Sequence, residues 1–99
     1  MAGAVLHLLR GASVDPRPIL AGSWRSIQRV DLKPSSTHVL EHGAVECCAF
    51  VLSGDGIAVI DGRSVPLGPN TGLAVLRGTR AELVAGADGL ETLIVVVSA

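Results

Sequence analysis

The chain has 99 residues, with 8 Lys plus Arg against 9 Asp plus Glu and a formal charge of −1, enough for one core and too short for two separate domains. That balance provides no global field to gather nucleic acid or an anionic membrane, so neither is expected as a partner. A hydrophobic fraction of 48% excludes a disordered chain and points to a surface partly covered by a second copy, in a homodimer.

One Phe, one Trp and no Tyr leave a core of branched aliphatics, which favours strands. Residues 1–22 read as an N-terminal arm and residues 23–99 as the folded domain. The apolar run Ala4–Leu9 is too short for the apolar region and cleavage site of a signal peptide, and no run of 18 apolar residues occurs. Asp15-Pro16-Arg17-Pro18 interrupts any helix in the arm. Trp24–Leu32 is the first expected strand, Lys33-Pro34-Ser35-Ser36 a turn, Thr37–His42 a short strand and Glu46–Leu52 the next. Ser53-Gly54-Asp55-Gly56 is the strongest turn signal in the chain. Ile57–Ile60 and Val65–Leu67 follow as strands, with Asp61-Gly62 suited to a two-residue hairpin loop. Then come Leu73–Leu76, Ala81–Ala85, a turn at Gly86-Ala87-Asp88-Gly89, and a final strand Leu90–Val97. About eight strands between glycine turns predict an all-β sandwich or barrel.

Cys47 and Cys48 are neighbours and lack the spacing of a disulfide framework. Free thiols are easiest to keep in a reducing compartment, so a cytoplasmic location is expected. Polar ligand types converge only at His38, His42, Glu46 and this cysteine pair. In one extended strand, residues 38, 40 and 42 point to the same side, and a bend returns Glu46 or Cys47 beside them. Imidazoles with a thiolate or carboxylate can bind a divalent first-row metal, which makes His42, Cys47 and His38 candidate ligands. Alternatively, His42 and Glu46 form a metal-free proton-transfer pair and are the candidate catalytic residues. Within a strand Cys47 and Cys48 face opposite sides, and Glu46 shares its side with Cys48. Arg77 and Arg80 suit an anion clamp, with Glu82 following Arg80; an ordinary solvated strand edge is the alternative.

Phe50-Val51-Leu52-Ser53-Gly54-Asp55-Gly56 resembles the V-L-x-G strand ending of the first motif of the cupin superfamily. Counting seven residues back from Gly54 places that family's acidic or amide ligand on Cys47. His42 then matches the second histidine, and the first falls on Leu40. Leu76-Arg77-Gly78 followed by Ala81 is similar to the second motif, with Ala81 where the family carries a histidine. The resemblance runs from Trp24 to Val97 and implies a small double-stranded β-helix, a jelly-roll barrel. Its cavity would be lined by His38, His42, Glu46, Leu40, Cys47, Cys48, Phe50 and Arg77. The superfamily includes dioxygenases, isomerases, polyketide cyclases and sugar-binding proteins, so the fold chooses no reaction. The expected function is binding of a small, partly apolar molecule without a standard cupin metal centre. Two alternatives stand beside it. One is a divergent isomerase or polyketide-cyclase type enzyme using His42 with Glu46, or with a bound Fe, Zn, Ni or Mn ion. The other is a purely structural or regulatory homodimer.

Overall fold

A computed structural model describes residues 4–99; the first three residues of the expected arm lie outside the described residues. Seven strands follow in order: β1 (Ser13–Val14), β2 (Trp24–Leu32), β3 (Thr37–Val39), β4 (Val45–Ile60), β5 (Arg63–Leu67), β6 (Gly72–Val75) and β7 (Ala81–Ser98). No helix of the described residues is long and apolar enough to cross a membrane.

Two of the expected turns do not reverse the chain. Ser53-Gly54-Asp55-Gly56 lies inside the 16-residue β4, and Gly86-Ala87-Asp88-Gly89 lies inside the 18-residue β7. The reason is that the two glycine clusters face each other. Gly54 pairs with Leu90 and Gly56 with Ala85, with register shifts on either side of Gly54. Both strands therefore bend together and keep their cross-strand hydrogen bonds through the bend. A Cβ on Gly54 would sit 2.1 Å from the Gly89 carbonyl oxygen, and one on Gly56 would sit 2.2 Å from that of Val84. Only a chain bare of side chains at these points lets the backbones approach so closely.

The all-β expectation holds, but the closed jelly-roll barrel does not. Hydrogen bonding follows the open path β1-β2-β7-β4-β5, with β3 attached to β7 and β6 attached to β4. On one side of the bend the order is β1, β2, the second half of β7, the first half of β4, and β6. On the other side it is β3, the first half of β7, the second half of β4, and β5. Four short strands thus form edges that no ladder joins. The Asp61-Gly62 loop does make the expected tight reversal between β4 and β5, with φ of 49° and 78°.

Burial alternates along the strands. Val45, Cys47, Ala49 and Val51 turn inward on β4, and Leu90, Thr92, Ile94 and Val96 on β7. They join Leu40, Ala58, Leu67, Val75, Ala81, Leu83 and Ala85, so that both sides of the bend share one apolar core. Thr92 is the buried hydroxyl, and it donates to the Val30 carbonyl at 3.1 Å.

Glu91 lies on the opposite face and ties the arm to the sheet. Its carboxylate accepts from Arg29 Nε at 2.8 Å, from Arg29 Nη2 and from Ser53 Oγ at 3.1 Å, and Arg10 approaches to 3.6 Å. Arg29 also donates through Nη1 to the Leu8 carbonyl at 3.2 Å, while its backbone exchanges hydrogen bonds with Gly11 and Ala12. The Arg29 guanidinium above all, helped by Ser53 and Arg10 against the cost of burial, holds the Glu91 carboxyl below its ordinary value.

Two measurements test these features. Gly56→Ala, which meets the Val84 carbonyl without any change of φ class, is expected to lose about 3 kcal/mol or more in urea unfolding. Gly68→Ala has nothing within 4 Å and is expected to stay within about 0.5 kcal/mol of the parent. For Glu91, a lowered folded-state pKa means that its stabilisation is complete above about pH 4.5 and disappears as pH falls through the lowered value. The urea midpoint should therefore drop on acidification, and Glu91→Gln should flatten that drop.

Candidate functional site

The sequence-predicted residues separate onto two faces and two loops. Leu40, Cys47 and Ala81 lie on the inner face, exposed by only 1%, 3% and 0%. The Leu40 amide donates to the Ala81 carbonyl at 3.0 Å, which sets these two positions side by side. Cys47 pairs across the sheet with Val75 on β6 and Val96 on β7, and its Sγ donates to the Glu41 carbonyl at 3.3 Å. Burial, with the charges of Glu41 and Cys48 adding to it, pushes the Cys47 thiol up from its ordinary value.

His38 is half-buried on β3, in register with the inward-facing Leu83, and desolvation pulls its pKa down. The strand that carries it ends at Val39, so His42 falls on the exposed connection to β4 and not in line with His38. Arg77 is exposed on the β6–β7 connection. The two connections are stitched together where the Gly78 amide donates to the Gly43 carbonyl at 3.0 Å. Arg80 pairs with Glu82 at 2.5 Å, and Arg25 with Glu41 at 3.5 Å.

Glu46, Cys48 and Phe50 face outward from β4, where Glu46 is half-buried and the other two are exposed. A groove of about 190 Å³ opens on this outer face, lined by Glu46, Cys47, Cys48, Ala74, Val75, Leu76, Val95 and Val97. It brings Glu46 and the cysteine pair together and leaves out His38, His42 and Arg77. Cys48 is exposed there, and the lining surface as a whole is almost entirely apolar. The β6 and β7 residues were not singled out as site residues. One signal for them was in the chain: Leu93-Ile94-Val95-Val96-Val97 is apolar without alternation, as in a strand covered on both faces.

The fold has counterparts among solved structures. A cupin protein from Bacteroides fragilis superposes with a TM-score of 0.78 at 22% identity, over 100% of this chain and 86% of that one. The Schizosaccharomyces pombe Cnp3 cupin domain gives 0.74 at 12% identity, over 89% and 59%. This is a cupin-like fold. A predicted oxalate decarboxylase from Thermotoga maritima also superposes, with a TM-score of 0.70 at 21% identity over 78% and 69% of the two chains. No protein-family model matches the sequence, and no curated protein matches it.

A cupin-like fold implies a metal centre, and the donor set here does not fit one. At the motif positions Leu40 and Ala81 carry no donor atom, and the Cys47 thiol is spent on the Glu41 carbonyl. Among the described residues no group of three or more His, Cys, Asp or Glu is placed to hold a metal ion. Protein purified without chelator or added metal is expected to carry less than about 0.1 equivalents of metal per chain, unchanged by His42→Ala. Near one equivalent, lost with His42, would be the opposite result. By proton NMR, the His38 ring is expected to titrate below the ordinary histidine value of 6.5, and that resonance should vanish in His38→Gln.

Proposed function

We propose that this chain binds a small, partly apolar molecule in the outer-face groove, with no metal involved. The carrying observation is the groove itself, whose wall is almost entirely apolar, with Glu46 and Cys48 among its lining residues. Its volume of about 190 Å³ exceeds the roughly 150 Å³ of an apolar cavity that takes up benzene, and falls below the range of about 300–1,000 Å³ for drug-sized ligands. A single ring or a short branched chain is the matching size. The half-buried Glu46 favours a ligand that carries a hydrogen-bond donor or a positive charge.

The reading assigns binding and no proton-transfer step. His42 is not among the lining residues, so Glu46 lacks its expected partner there. Both cysteines are free, which suits the cytoplasmic location that forms part of the same proposal.

Isothermal titration calorimetry reads occupancy of the groove directly. Benzylamine is expected to bind more tightly than benzyl alcohol, and benzoate most weakly. Glu46→Gln should reduce the preference for benzylamine over benzoate about two- to five-fold. Equal responses to all three ligands in the parent, or none, would overturn the reading.

A further inference from the structure

Aspartate is followed by glycine three times in the chain, at Asp55-Gly56, Asp61-Gly62 and Asp88-Gly89. In such a pair no side chain on the second residue shields its amide nitrogen from the aspartate carboxyl. The fold gives the three pairs unequal freedom. Gly56 lies in β4, paired with Leu67 on one side and Ala85 on the other, and a Cβ there would sit 2.2 Å from the Val84 carbonyl oxygen. The Asp55 carboxylate lies against Gly86 across the sheet. Gly89 is buried in β7, with the Leu32 carbonyl oxygen 2.9 Å from where its Cβ would be and Gly54 of β4 packed on its own carbonyl. Neither of these peptide planes can turn without parting the strands around it.

Asp61-Gly62 is the exception. Both residues are exposed, nothing lies within 4 Å of where a Gly62 Cβ would be, and Asp61 alone of the three aspartates has a positive φ, 49°. With Gly62 at 78°, the loop has the signs of a type I′ turn. Type II′, the other two-residue hairpin turn, also keeps φ positive at its first position. It differs by rotation of the one peptide plane between the two residues, which takes ψ of the first to about −120°. That rotation asks nothing of the flanking strands, because the pairs Ile60–Arg63, Val59–Ser64 and Ala58–Val65 hold the two arms together beside it. It swings the Gly62 nitrogen round to the side of the Asp61 Cβ, the arrangement a five-membered ring requires.

We propose that Asp61 is a site of backbone modification, where the folded chain passes through a succinimide to an isoaspartyl link. The Gly62 amide nitrogen gives up its proton and bonds to Asp61 Cγ, and the hydroxyl of the protonated carboxyl leaves with that proton as water. Water then reopens the ring at one of its two carbonyls. Addition at Cγ breaks the new bond and restores aspartate. Addition at the Asp61 backbone carbonyl breaks its bond to the Gly62 nitrogen instead, so the chain runs on through Cβ and Cγ and a free α-carboxylate is left on the loop. One water leaves and one returns, and no oxidant, reductant or cofactor takes part. The lengthened loop falls at an edge, where β5 is held by β4 alone.

Prolonged incubation of the full chain at physiological temperature and neutral pH tests this, once folded and once in guanidinium chloride. Peptide mapping reads the products, with the succinimide peptide one water lighter than its parent. An isoaspartyl carboxyl methyltransferase with a labelled methyl donor marks the new α-carboxylate. In guanidinium chloride all three aspartates are expected to convert. In the folded chain Asp61 should convert at a rate within about threefold of its own rate in denaturant, and Asp55 and Asp88 should fall at least about tenfold below theirs, since they wait on local unfolding. Asp61→Asn, a residue suited to the first position of the same turn, should keep the circular dichroism of the parent. It forms the same ring by losing ammonia, so label at residue 61 should appear faster. A folded chain in which Asp61 is protected as strongly as Asp55 and Asp88 overturns the proposal, and so does one in which either of those converts as fast as Asp61.

Discussion

Close backbone approach at the shared bend of β4 and β7 governs everything else in this molecule. Gly54 and Gly56 meet the carbonyls of Gly89 and Val84 with no room for a side chain, and Gly86 lies under the Asp55 carboxylate. Because the two strands bend as a pair, each contributes to both sides of the sheet, and one core serves both. The bend also decides which residues look inward. Its register shifts reset the alternation between Val51 and Ser53 and again between Gly54 and Gly56, so a single lost bulge would turn one half of β4 inside out.

Much of this was legible in the chain, and the misses have one cause. The imperfectly alternating string from Trp24 to Leu32 marks β2 at its true bounds, and Asp61-Gly62 announces its reversal through residues that tolerate positive φ. The same local logic fails at Ser53–Gly56 and Gly86–Gly89. Glycine permits a reversal, but whether it reverses depends on what lies opposite, and here each cluster lies opposite the other. Closure into a barrel is a property of edges, which no local pattern records. The groove was equally hidden: Ala74 and Leu76 become neighbours of Glu46 and Cys48 only through the β4–β6 pairing.

The two faces have divided their chemistry in an instructive way. Inward, the positions that would hold metal ligands in a cupin carry Leu40, Cys47 and Ala81, and these belong to the apolar core. Burying aliphatic surface there stabilises the sheet, at roughly 25 cal/mol per Å² removed from water, where buried imidazoles and carboxylates would cost desolvation. Outward, the same strand presents Glu46 and Cys48. Alternation along β4 thus gives one segment two unlike surfaces, one buried in the core and one open to solvent.

The nesting of β4 on β7 also orders the events by which this chain finds its shape. Ile60 pairs with Ala81, 21 residues away, and each further pair lies outside the last until Val45 meets Ser98, 53 residues away. Once the innermost pair has closed, every later pair adds to a loop already shut, and the entropy of closing long loops is met one short step at a time. Zipping outward from the Ile60–Ala81 end is therefore the least costly route. β2 docks onto the β7 half completed last, and the arm held by Arg29 settles after it. A chain of mostly long-range contacts acquires in this way the folding logic of a hairpin.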